Sequence, residues 1–264
     1  MQKTDKIENI KTWLKKNGYP FEMLVAKSFR KSGFKISQSI LYKDFETEKY
    51  RETDLIAHTT KSVNGVWFNI TFVVECKKTT EKPWIIFTNK DLYTVQNNKY
   101  PILASTNANR LINHISKNNK FKSPLIFPKI INSGYSIVTA FNEKSDIAYS
   151  ASQSVIKACD YLVSKSNSSN QNFCNIYIPI IAIEGELHEA FLNDNDEIEL
   201  IQVDWSTVIS TKSFDEQNSN LITIVSSNNL EAFTQELNKQ SMEFYEKYST
   251  EIELISNNYP TNKS

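Results

Sequence analysis

The sequence predicts an α/β fold with a mixed central sheet, and three observations predict it. From Phe21 to Gly33 apolar residues recur at helical spacing (Leu24, Val25, Phe29), and Gly33 stands where a helix is capped. Asn64-Gly65, the strongest short hairpin signal, joins two strand-like runs, Asp54 to His58 and Val66 to Lys77. Ile176 to Ile183 is apolar on both faces, which places it as a strand inside a sheet.

The remaining elements follow in order. Phe34 to Tyr42 alternates in part and reads as a strand, and Lys43 to Tyr50 is a charged connection. Between residues 86 and 147 the pattern is weaker, with a helix near Asn107 to Ser116 and a strand near Tyr135 to Ala140. A second strong helix spans Ala151 to Val163, with Val155, Ala158, Cys159 and Leu162 on one stripe, and Ser164 to Asn172 is a polar loop. Strands are expected at Ile198 to Val203 and Leu221 to Val225, and one long amphipathic helix from Asn229 to about Ile255. The expected organisation is a single domain over 1–264.

Composition narrows the class. Of the 264 residues 40% are hydrophobic and 23% charged, which suits a globular core. The N-terminus shows no apolar stretch of signal-peptide length, and the longest strongly apolar run is far too short to span a bilayer. Cys76, Cys159 and Cys174 match no zinc or redox spacing, so no disulfide is expected and the compartment read is the cytoplasm. Net charge is zero, yet residues 1–130 hold 23 Lys+Arg against 11 Asp+Glu, and residues 131–264 hold 7 against 19. A basic half points to a polyanionic partner; the plainer alternative is that the two halves neutralise each other.

The chemistry lies in the hairpin. With Asn64 and Gly65 as the turn, cross-strand partners have numbers summing to 129, so Asp54 faces Glu75, with Cβ atoms roughly 4.5 to 5.5 Å apart. Two facing carboxylates repel unless a cation lies between them. Lys77 shares their face, whereas Phe68, Ile70, Phe72 and Val74 point to the core. Oxygen ligands without histidine favour Mg2+, with Mn2+ as a substitute. Phosphodiester hydrolysis uses such an ion, and a lysine beside it can position water and offset charge. The competing reading is a solvated sheet face with one ion pair. Against it, Glu22 falls on the apolar stripe of the first helix with Val25, Ala26 and Phe29, and a carboxylate on a packing face calls for a partner or a job.

These features resemble the PD-(D/E)XK superfamily, the restriction-endonuclease-like nucleases. The likeness is carried by Gly18-Tyr19-Pro20-Phe21-Glu22 through Phe34, by Arg51-Glu52-Thr53-Asp54-Leu55-Ile56-Ala57, and by Val73-Val74-Glu75-Cys76-Lys77-Lys78. Thr53 stands where the motif's proline would be. The resemblance covers 18–85 and, more loosely, 148–184. It implies a restriction-endonuclease-like core of helix, three strands, helix and strand, with 86–147 as an insertion and 190–264 as a C-terminal strand and helix extension. It further implies that Asp54, Glu75 and the Cys76 carbonyl bind metal, that Glu22 assists them, and that Lys77 acts on the water. Gln153 resembles a second-helix glutamine of some members, although a surface glutamine is the simpler reading.

The expected function is therefore a metal-dependent endonuclease acting on DNA, with RNA as the alternative, in the manner of a restriction or phage-defence enzyme. The alternative from another class is a catalytically silent nucleic-acid-binding or protein-interaction module on the same fold. The segment 86–147 carries eight Lys+Arg against three acidic residues. Lys78, Lys117, Lys120 and Lys122 are accordingly expected to contact phosphates. The acidic C-terminal half offers a surface for a protein partner, and a homodimer is compatible with the reading. No P-loop or nucleophile elbow is present. His58 reads as a surface strand residue on the site face, Trp84 as a core aromatic, and Glu184, Glu186 and Glu189 as a solvated acidic loop.

Overall fold

In the computed structural model, which describes residues 3–89, 102–117, 134–141, 146–169, 172–211 and 219–258, the chain runs α1 (Lys3–Lys16), α2 (Tyr19–Lys31), β1 (Lys35–Lys43), β2 (Tyr50–Val63) and β3 (Val66–Lys78). It continues β4 (Trp84–Thr88), β5 (Leu103–Ala104), α3 (Thr106–Lys117), β6 (Gly134–Thr139), α4 (Ile147–Ser168), β7 (Phe173–Glu184) and β8 (Leu187–Leu192). The rest is β9 (Ile198–Gln202), β10 (Trp205–Thr211), β11 (Ser219–Ser226), a short 3-10 turn, α5 (Leu230–Lys247) and α6 (Ser249–Asn257). The strands form one mixed sheet in the order β1-β2-β3-β7-β11-β10-β6-β4-β8-β9, with β5 beside β7. The fold is α/β, and no described helix is long and apolar enough to cross a membrane.

The hairpin has the register read from the sequence. Asn64 and Gly65 both take positive φ, the geometry of a primed two-residue turn, and the partners run from Val63↔Val66 to Leu55↔Val74. β7 lies parallel to β3 over its whole length, from Trp67↔Phe173 to Lys78↔Glu184. Strand alternation then divides the core. Phe68, Ile70, Phe72, Val74 and Cys76 pack with α2, α3, α5 and α6, while Val73 and Ile181 pack with Ala151, Val155 and Ala158 of α4 on the other face.

Several expectations change. α1 was hidden because its apolar residues cover little: Ile7, Ile10 and Trp13 are each about half exposed, and the charged residues between them mask the pattern. The segment 86–147, expected as an insertion, joins the sheet in its described parts. β4 pairs with β6 and β8, and β6 with β10, so it supplies interior strands of the sheet. The C-terminal segment likewise enters the sheet, because β11 lies parallel to β7 and antiparallel to β10. α4 begins earlier than its apolar stripe suggests, because the Asp146 carboxylate accepts hydrogen bonds from the backbone N–H groups of Ala148 and Tyr149. The expected single C-terminal helix is interrupted at Tyr248, whose non-helical backbone separates α5 from α6. Phe244, Tyr245, Tyr248 and Ile252, spaced along one helical stripe on either side of the break, all reach one core.

Tyr245 ties this helical end to the hairpin. Its hydroxyl lies 3.1 Å from the Thr59 carbonyl and 3.0 Å from the Phe68 carbonyl, and 3.2 Å from the Thr59 hydroxyl. All three groups are away from water, so Tyr245→Phe strips hydrogen-bonding capacity from a buried site. The substitution is expected to lower the unfolding free energy by about 1 to 3 kcal/mol, read as a fall in the urea midpoint at unchanged slope. An unchanged midpoint would remove this contact from the account of stability.

Candidate active site

The hairpin register reaches Leu55↔Val74, and Asp54 and Glu75 are the next residues on the two strands. Asp54 Oδ2 accepts a hydrogen bond from the Cys76 backbone N–H at 2.6 Å, which anchors its carboxylate across the strands. Lys77 Nζ donates to Glu75 Oε1 at 2.6 Å. Because Val74 and Cys76 belong to the core on one face, Glu75 and Lys77 project from the other, the face that carries α4. Glu75 is only 6% exposed, and Asp54, Lys77 and Glu22 are partly buried. Asp54, Glu75, Lys77 and Glu22 are thus gathered at one end of the hairpin.

Glu22 arrives from α2. Gly18, with φ of 84°, ends the preceding turn, and a Cβ there would sit 3.8 Å from Lys78 Cβ, so α2 starts beside the end of β3. Glu22 falls in the first turn of that helix, where negative charge is favoured by the free backbone N–H groups. It also senses the charges of Asp54, Lys77 and Glu52.

The electrostatics are those of crowded acids. Burial pushes the Glu75 carboxyl up to about 7, and the charges of Asp54 and Glu22 push the same way against the pull of Lys77. Burial also raises Asp54, opposed by the Cys76 N–H and Lys77. Glu22 is raised by burial and by Asp54. Lys77 is drawn down by burial, but Glu75 and Asp54 outweigh this and hold it above its ordinary value as a firm cation. Burial drives the Cys76 thiol far up, so this residue serves the site through its backbone.

The donor set suits a hard divalent cation. Each carboxylate has one oxygen engaged by the chain, its second could serve as a ligand, and a cation would relieve the mutual repulsion. Among the described residues no three His, Cys, Asp or Glu side chains form a ready metal cage. Magnesium needs none, because it is ordinarily held by one or two carboxylates with waters and substrate phosphates filling the remaining positions.

Other expected residues are placed elsewhere. Lys78 Nζ donates to the Lys15 carbonyl at 2.9 Å and pairs with Glu184 at 3.6 Å, so it fastens the end of α1. Lys117 is exposed at the end of α3, a helix on the sheet face opposite Glu75. Lys120 and Lys122 lie outside the described residues. Trp84 is fully buried and belongs to the core. Gln153 is half-buried on α4, and its neighbour Ser154 hydrogen-bonds Tyr42.

Sequence reasoning missed Asp44. It is fully buried in the β1–β2 connection, accepts from the backbone N–H of Glu46 and Thr47, and pairs with Arg51 at 3.0 Å and Lys157 of α4 at 3.2 Å. Burial would raise its carboxyl, but these partners hold it at about 2. Only the Asp-x-x-Thr spacing hinted at the turn, and nothing in the sequence named Lys157 as its partner.

A scan against protein-family models returned no match, and searches of the curated proteins and of the solved structures returned none either.

The buried Glu75 generates a pH prediction for the metal-free protein. Its folded value, about 7, exceeds the ordinary 4.5, so its contribution to stability is full below pH 4.5, declines as pH rises, and is lost above about pH 7. Glu75→Gln, which stays neutral, is expected to raise the urea midpoint above pH 7 and to flatten the fall between pH 4.5 and 7. The gain is bounded by about 3 kcal/mol, at roughly 1.4 kcal/mol per pH unit. Equal midpoints of the two proteins at all pH values would show that Glu75 carries no strain.

Proposed function

We propose that the chain is a divalent-metal-dependent nuclease that hydrolyses phosphodiester bonds in DNA. The observation that carries the reading is the joining of Asp54, Glu75 and Lys77 on one sheet face at the end of a buried hairpin, with Glu22 entering from a neighbouring helix. A solvated face would leave its carboxylates in water. Here Glu75 is buried beside two other acids, an arrangement that opposes folding and is best explained by a cation-dependent task. The order α2, β1, β2, β3, α4, β7, with β7 parallel to β3, supports the likeness to the PD-(D/E)XK superfamily.

Asp54 and Glu75 would hold the metal, with the Cys76 carbonyl and Glu22 as further oxygen donors. Such an ion, when bound, activates water and neutralises charge on the phosphate. Lys77 is held by Glu75 at the same place, so its ammonium can orient the attacking water and offset charge growing on the phosphate oxygens. The Cys76 N–H fixes the Asp54 carboxylate, so this ligand needs little reorganisation.

Plasmid, linear duplex, single-stranded DNA and RNA, each incubated with Mg2+, Mn2+ or EDTA, test the proposal; cleavage in the metal lanes alone is expected. Asp54→Ala and Glu75→Ala are each expected to abolish cleavage by removing a ligand. Wild-type rates from either, with the fold intact by circular dichroism, would sink the assignment. Lys77→Ala is expected to retain metal binding by calorimetry while slowing turnover by about 10² to 10⁴. Lost metal affinity in that variant would make Lys77 a structural partner of Glu75.

A further inference from the structure

On the face that carries Glu75, toward the Asn64-Gly65 turn, the sheet forms the floor of a groove of about 870 Å³. His58 and Thr60 of β2, Trp67 and Asn69 of β3, and Asn175 and Tyr177 of β7 line it, with Lys35 of β1 and, among the described residues, no Asp or Glu. Trp67 is 46% exposed although β3 is otherwise largely buried, so a large flat ring is left open to a ligand. The polar groups below it are ordered in a chain. Thr60 Oγ1 donates to Asn69 Oδ1 at 2.7 Å, Asn69 Nδ2 to Asn175 Oδ1 at 2.6 Å, and Asn175 Nδ2 to Ser166 Oγ at 2.6 Å and Tyr177 Oη at 3.1 Å. These bonds fix both carboxamides; beyond them Asn69 has one N–H and one acceptor site to offer, and Asn175, both of whose N–H groups are used, one acceptor site.

An exposed indole beside oriented amides, without carboxylates, is suited to a flat, polar-edged ring. Indoles and amides also bind sugars, but the groove shares its sheet face with the carboxylate pair. His58 is four residues along β2 from Asp54, about 14 Å at a strand rise of roughly 3.4 Å per residue. A base seated in the groove would lie a short length of backbone from those carboxylates. Bases within a duplex are stacked and paired, and only an unpaired one offers its face to Trp67. We propose that this groove binds an unpaired nucleobase of a single-stranded nucleic acid, stacked on Trp67 and hydrogen-bonded by Asn69 and Asn175. The role of that strand as substrate rests on the nuclease reading; the binding itself does not.

The test is fluorescence anisotropy of a labelled oligothymidylate with the full chain in EDTA, where no cleavage occurs. Trp67→Ala is expected to weaken binding about 5- to 150-fold, the range for one lost base–aromatic stack, and Trp67→Phe to restore most of it. The slope of log affinity against log salt should stay unchanged in Trp67→Ala, because stacking releases no counterions. Thermal unfolding of Trp67→Ala, at an exposed position, checks that the fold is intact. Equal affinity of wild type and Trp67→Ala would overturn the proposal, as would Trp67-dependent binding of a duplex equal to that of the single strand. A maltooligosaccharide that binds through Trp67 while the oligothymidylate does not would assign the groove to sugar instead. Trp67-dependent binding without Mg2+-dependent cleavage by the wild type would uphold the groove and defeat the nuclease reading. Cleavage with Trp67-independent binding would do the reverse.

Discussion

The β2–β3 register is the constraint on which the rest of the structure depends. A strand places alternate residues on opposite faces, so a slip of one residue would exchange the two sets completely. With Val63 opposite Val66, Phe68, Ile70, Phe72 and Val74 enter the core shared with α2 and α5, and Asp54, Glu75 and Lys77 gather on the other face. A slip of β3 against β2 would carry Glu75 and Lys77 into that apolar core. The site and the core are therefore specified together, and the positive φ of Asn64 and Gly65 that closes the turn serves both.

That arrangement opposes itself electrostatically. Three acids and one lysine share a partly buried place, and Glu75 is held far from its ordinary protonation range. Such a cluster survives only where the surroundings are strongly determined. Here β3 is paired on both sides, by β2 and by β7, and is clasped from one layer by the Tyr245 hydroxyl. On the other side, buried Asp44 binds Lys157, which ties the β1–β2 connection to α4. Neither contact reaches the carboxylate pair directly. Both limit how far the sheet around it can relax.

What was legible in the sequence follows from how local the determining interactions are. The hairpin could be read because an Asn-Gly turn and a period of two are contained within a few residues, and from these the pairing of Asp54 with Glu75 followed by arithmetic. β7 was equally plain, because a strand buried on both faces must be apolar throughout. The position of β11 beside β7 could not be read, since its apolar run suits any interior strand and only long-range pairing chooses the neighbour. The same holds for β4 and β6, which appeared as parts of an insertion because their partners β8 and β10 come much later in the chain. Asp44 was hidden for a related reason: its partner Lys157 lies 113 residues away, and an isolated Asp in a charged loop carries no mark of burial.

The sheet order also gives the charge asymmetry of the sequence a spatial meaning. The carboxylate pair lies on β2 and β3, near one edge, and exposed Lys27, Lys31 and Lys35 stand on α2 and β1 at that side. The stretch from Glu184 to Thr211 contains no Lys or Arg, and its exposed Asp194, Asp196, Glu197 and Glu199 sit on or beside the β8–β9 hairpin at the opposite edge. Seven strand spacings of about 4.8 Å separate β3 from β9, on the order of 30 Å, which is several Debye lengths at physiological salt. The two charge groups are thus too far apart to neutralise each other directly. A molecule with zero net charge then has exposed lysines at one edge and a run of acids free of lysine and arginine at the other. Screening confines each field to about a Debye length, so the lysines of the β1 side act near the carboxylates and the acidic edge adds little at the site itself.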